Sequence, residues 1–152
     1  MSINSDFRDL LKTLNDCGVR YLVADGYAVM YYTEPRFTKA IDIWVEATPA
    51  NAQKVWTALA TFGAPLEQVS LADFCNKDLI YQIGVAPNRI DIMMDIPGVD
   101  FEQAWEHKSV SQYGDVPIFI LGLDDLIKAK EHAGRDQDLL DVKNLKAIQA
   151  KH

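Results

Sequence analysis

Cysteine is nearly absent from this chain of 152 residues, which contains only Cys17 and Cys75. Two are too few for a disulfide scaffold, and neither stands at metal-ligand spacing with His107, His132 or His152. A reducing compartment follows as the expectation. No apolar run approaches the roughly 18 residues of a membrane span. The first nine residues, Met1 to Asp9, lack the basic start and apolar stretch of a signal peptide. A cytoplasmic protein with no membrane association is therefore expected. Basic residues are also in deficit: 15 Lys and Arg against 22 Asp and Glu leave a formal charge of −7. That excludes a domain that coats nucleic acid by bulk electrostatics, although a local basic site is compatible with it. Internal repeats, low-complexity tracts and linkers are absent too. With 49% hydrophobic and 24% charged residues the composition is that of a folded globular chain. Its length suits one domain, residues 1–152.

Ser5 and Asp6, followed by Phe7, Leu10, Leu11 and Leu14 at helical spacing, predict an amphipathic helix that stops near Gly18. Residues 20–24 read as a strand. Asp25-Gly26 breaks it before residues 27–32, which can wind as a helix. Residues 40–45 are β-branched and aromatic, a buried strand carrying Asp42. Thr48-Pro49 offers an N-cap with proline at the first helical position, and the helix it opens runs to Gly63. Residues 79–85 and 89–94 form a pair of strands around Ala86-Pro87-Asn88, with Asp91 in the second. A further pair is predicted over 108–113 and 116–121, turning at Gly114-Asp115. From Gly122 onward the pattern is helical in two segments separated by Gly134-Arg135. Six acids and six bases make residues 123–152 neutral, so the net charge resides upstream. This order predicts an α+β fold, a mixed β-sheet flanked by helices with a helical C-terminal tail.

Three features point to one chemistry. A turn containing Gly26 joins a strand to a helix, and Asp42 and Asp91 lie on later strands. Residues two apart in a strand share a face, so position 40 and Asp42 point the same way, toward whatever Asp91 reaches from a neighbouring strand. Carboxylates gathered on one face repel unless a cation sits between them. Oxygen ligands of this kind hold hard divalent ions such as Mg²⁺, with nucleotide phosphates completing the shell. The turn before the helix offers backbone N–H groups and a positive dipole end to those phosphates. Phosphoryl or nucleotidyl transfer is the chemistry this layout serves.

The runs Tyr21-Leu22-Val23-Ala24-Asp25-Gly26-Tyr27-Ala28-Val29 and Pro35-Arg36-Phe37-Thr38-Lys39-Ala40-Ile41-Asp42-Ile43-Trp44-Val45 carry a resemblance. They resemble the signature of minimal nucleotidyltransferases of the polymerase-β superfamily, in the branch allied to AbiEii-type toxins of toxin–antitoxin systems. The family pattern is a hydrophobic residue, Gly, Gly or Ser, a spacer, then Asp, hydrophobic, Asp or Glu, hydrophobic. Here the spacer is residues 27–39. Arg89-Ile90-Asp91-Ile92 resembles the strand bearing the third carboxylate, and segments 124–130 and 134–142 resemble the helical tail of the same branch.

The resemblance implies Asp42 and Asp91 as catalytic residues and Mg²⁺ ligands. It implies Gly26, Arg36, Lys39 and Lys130 as nucleotide-binding residues. Competent relatives move a nucleoside monophosphate from an NTP to a hydroxyl on a protein or RNA, such as tRNA, and a cognate toxin–antitoxin partner is implied as well. Two positions depart from the pattern. Asp25 stands where the first glycine belongs, and Ala40 where the first metal-binding aspartate belongs. The first puts a charged side chain where backbone should approach phosphate, and the second removes a ligand from the metal. The expectation is impaired transfer and weakened Mg²⁺ binding. The alternative is a catalytically inactive module, antitoxin-like or regulatory, that binds a nucleotide or a partner.

Each residue also has a plainer reading. Asp91 has Arg89 nearby as an ion-pair partner, Arg36 and Lys39 suit a solvated loop, and Lys130 and Arg135 suit a helix surface. Asp138 and Asp141 read as residues that cap or pair within the tail, and the three tryptophans as core.

Overall fold

A computed structural model describes residues 3–36, 38 and 40–151. Helix α1 (Ser5–Asp16) buries Phe7, Leu10, Leu11 and Leu14 on one stripe. Its N-cap is Asn4, one residue before the expected start, whose side-chain oxygen accepts from the N–H groups of Asp6 and Phe7 at 2.9 and 3.1 Å. Strand β1 (Tyr21–Ala24) is buried along its whole length and runs directly into helix α2 (Asp25–Tyr32). Strand β2 (Ala40–Val45) leads to helix α3 (Pro49–Phe62), capped by Thr48 at one end and by Gly63 at φ +97° at the other. That positive φ suits glycine at a helix C-terminus.

Strands β3 (Ile80–Ile83) and β4 (Arg89–Met93) pair antiparallel, as do β5 (Ser109–Tyr113) and β6 (Val116–Ile120). Between the pairs lies helix α4 (Phe101–Glu106), and a 3-10 helix covers Leu71–Cys75. Apolar spacing predicts neither, because each is too short for a periodic stripe. Local acids mark both: Asp73 accepts from the Ser70 N–H and Asp100 from the Gln103 N–H. Helices α5 (Leu123–Ala133) and α6 (Asp136–Gln149) close the chain, divided at Gly134 as expected.

The six strands form one mixed sheet in the order β3-β4-β2-β1-β6-β5. β2 runs parallel to β4 and antiparallel to β1, and β1 runs parallel to β6. Hydrophobic runs on β1, β2 and β4 therefore occupy the centre. Trp44 is buried there, edge-on to Phe101, as a core residue. Cys17 and Cys75 are free and half-buried against the core. Among the described residues no helix is long and apolar enough to cross a membrane.

Candidate functional site

The register of the central strands builds the site. Asp42 on β2 stands opposite Asp91 on β4 and, on its other side, opposite Ala24 at the end of β1. Ala40, two residues before Asp42, stands opposite Arg89. The strand period puts Ala40, Asp42, Arg89 and Asp91 on one face, where they line a cleft of about 430 Å³ together with Asp25, Gly26, Arg36, Thr38 and Gln137. Gly26 lies under the returning loop. A Cβ there would come within 2.9 Å of Thr38 Cγ2, so a side chain at this position would force Thr38 to shift.

The two central carboxyl groups differ in their surroundings. Asp91 is buried and accepts from Arg89 Nε and Nη2, each at 3.0 Å, a bidentate pair that uses both oxygens. Burial pushes the Asp42 carboxyl up to about 8, with further upward contributions from the charges of Asp25 and Asp91 and from a hydrogen bond with Asp91; Arg89 opposes them. At neutral pH Asp42 therefore holds its proton.

A raised folded-state value means that the native state holds a proton the unfolded chain releases near pH 4. This contribution to stability is complete below pH 4 and is lost as pH rises toward 8. Urea unfolding at pH 5 and pH 8 is expected to show this chain weaker at pH 8, with Asp42→Asn cutting the difference by at least about 1 kcal/mol.

At the opposite wall, α2 starts at Ala24, an N-cap with no side-chain acceptor. Its first residue, Asp25, adopts φ +46°, a left-handed conformation that favours glycine. The Asp25 carboxylate receives a hydrogen bond from Lys130 of α5. Lys130 Nζ is buried and also lies 3.2 Å from Asp138 and 3.1 Å from Asp141 of α6. Arg135 donates to Asp138 at 2.7 Å, and Arg36 donates to Asp141 at 2.6 and 3.2 Å. Burial alone would raise both α6 carboxyl groups. The hydrogen bonds from Arg135 and Lys130 to Asp138, and from Arg36, Gln137 and Lys130 to Asp141, outweigh it and hold both below the usual carboxylate range.

Asp42, Asp91, Gly26, Arg36, Asp25 and Ala40 thus meet at one cleft. Lys130 stands one layer behind, reaching the cleft through Asp25 and lining a neighbouring cavity. Lys39 lies outside the described residues. Arg36 is at the cleft, but its charge is matched by Asp141. Asp138 and Asp141 both pair within the helical tail as expected, and Asp141 also reaches out of it to Arg36 in the loop before β2. That contact left a trace in the sequence: Asp138 and Asp141 stand four residues before Val142 and Leu145, on the buried stripe of α6, where acids need partners. Thr38 and Gln137 left none.

Mg²⁺ demands a near-octahedral set of oxygen ligands. Asp91 gives both oxygens to Arg89, and residue 40 presents a methyl group where a third carboxylate would stand. Among the described residues no three acidic, histidine or cysteine side chains gather as a metal-holding group. The donors present do not complete a Mg²⁺ site.

No family model matches the chain. No curated protein matches it either. Among solved structures the chain is similar to the lincosamide antibiotic adenylyltransferase LnuA bound to lincomycin, with a TM-score of 0.60 and 21% identity over 95% of this chain and 97% of that chain. The mixed six-stranded sheet, its flanking helices and its helical C-terminal end therefore form a nucleotidyltransferase fold.

Proposed function

We propose that this chain is a nucleotidyltransferase relative, a single domain over residues 1–152 allied to the AbiEii-type toxin–antitoxin branch, in which transfer is impaired. In competent relatives a protein or RNA hydroxyl attacks an NTP with Mg²⁺ present, and pyrophosphate leaves. Such transfer depends on positioning and charge neutralisation more than on covalent chemistry. In that reaction the Asp91 position helps activate the acceptor hydroxyl, the Gly26 backbone approaches phosphate, and bases at 36, 39 and 130 offset its charge.

One observation carries the reading. The Asp25 carboxylate, on the first residue of α2, is ion-paired with Lys130 at the place where free helix N–H groups and a base suit a phosphate. Ala40 compounds the loss by leaving Asp42 and Asp91 without a third carboxylate. The test is transfer from labelled NTPs to candidate protein and tRNA acceptors, comparing this chain with the Asp25→Gly, Ala40→Asp double variant. Transfer is expected from the double variant and near background from the parent. A double variant that modifies no acceptor removes the main support.

A second reading, a nucleotide- or partner-binding module without chemistry, is favoured by the same incomplete metal set beside an open cleft. Calorimetry with ATP, GTP, CTP and UTP in Mg²⁺ separates its forms. Tight binding of one nucleotide without turnover supports a sensor, and no binding supports a role with a protein partner alone, such as a cognate toxin–antitoxin protein.

A further inference from the structure

A second cavity, of about 250 Å³, adjoins the cleft on the same face of the sheet. Asp91 and Met93 are two residues apart on β4 and share that face, so the acidic row is followed by an apolar row in which Met93 stands opposite Ile80. Leu126 and Ala129 of α5 line it as well, with Ile96 and Pro97. The Asp25–Lys130 pair divides this cavity from the cleft, and Asp25 lines both.

The charges around the cavity are unequally committed. Lys130 is held by Asp25, Asp138 and Asp141, and Arg135 by Asp138. Both cations are spoken for. Lys130 bonds to only one oxygen of Asp25, and among the described residues neither the second oxygen nor the Asp95 carboxylate accepts a side-chain hydrogen bond. With the His132 ring as the remaining polar group of the lining, an apolar chamber whose uncommitted charges are the Asp25 and Asp95 carboxylates selects a ligand with an apolar body and a cationic donor.

We infer that this cavity binds a small apolar-bodied amine, its body against Ile80, Met93, Leu126 and Ala129 and its ammonium facing Asp25 and Asp95. An alcohol of the same shape donates a neutral hydrogen bond and binds more weakly. A carboxylate meets like charge and is rejected. The cavity does not depend on a nucleotide in the cleft.

The test is titration of nucleotide-free protein at pH 7 with 3-phenylpropylamine, 3-phenylpropan-1-ol and 3-phenylpropanoate, followed by amide chemical shifts. The amine is expected to bind at least tenfold more tightly than the alcohol, with no saturable binding of the carboxylate. Shift changes are expected to centre on residues 80, 93 and 126–133. Asp25→Asn with Asp95→Asn brings amine and alcohol to within about threefold of each other, and Ala129→Phe abolishes amine binding in folded protein. Absence of binding by the amine, equal binding of amine and carboxylate, or shifts confined to other surfaces in the parent protein overturns the assignment. The parent titration decides this even where a variant fails to fold.

Discussion

The Asp25→Gly, Ala40→Asp double variant is expected to raise nucleoside monophosphate transfer over the parent by a factor on the order of 100 or more. A metal ion stabilises transition-state charge by several kcal/mol, and each 1.36 kcal/mol is tenfold in rate. The carboxylate added at 40 joins Asp42 on the same strand face and gives the cleft a ligand it lacks. The glycine at 25 fits φ +46° without a side-chain clash, and it frees Lys130 from its outermost partner. Both changes act on the same site, so their effects are expected to exceed the product of the single ones. A single-turnover assay with each variant measures this directly. Ala40→Asp alone should gain little while Asp25 still occupies the start of α2.

The largest expected loss of stability follows from Lys130→Ala, at about 3–5 kcal/mol, because removing one partner from a buried ion cluster strands the others. Asp138 and Asp141 are each about 1% exposed and share this cation. Arg135 and Arg36 remain on one side of each carboxylate, and they are largely or partly solvent-exposed. Thermal unfolding is expected to shift down by roughly 10 °C for a chain of this size. Lys130→Met, which keeps the volume and removes the charge, separates packing from electrostatics and should recover only a minor part.

The pH dependence has a definite sign. Asp138 and Asp141 titrate below their unfolded values, so their contribution is present above about pH 4 and is lost as pH falls through the folded values. In Lys130→Met that acid-side loss should shrink. Asp42 acts in the opposite direction, between pH 4 and 8.

What could be read from the chain beforehand depended on local rules. The β-branched run 40–45, the proline after Thr48 and the glycine at 134 speak through spacing and backbone geometry alone, and the elements they mark stand where expected. The placing of Asp42 beside Asp91 needed the order of the sheet. Strand identity implies that both carry an acid, but only the parallel β2–β4 pairing makes them neighbours.

The plainer reading of Asp91 also proved structural: Arg89 does hold it. The Lys130 network was illegible for another reason. Its members come from α2, α5 and α6, more than 100 residues apart in the case of Asp25 and Lys130, and helix periodicity predicts which face is buried but not which charge it meets. Lys130 reads as a surface base until its burial is known.

The proposed function places the Asp25 carboxylate where a phosphate would bind in competent relatives. The most direct measurement is the affinity of inorganic tripolyphosphate, which carries no nucleobase preference, for this chain and for Asp25→Gly by calorimetry at low ionic strength. With Asp25 gone, the N–H groups at the start of α2 and the Lys130 ammonium face the cleft together. At least tenfold tighter binding by Asp25→Gly is predicted. Equal or weaker binding by that variant, with its fold intact, would mean that Asp25 does not occupy a phosphate position.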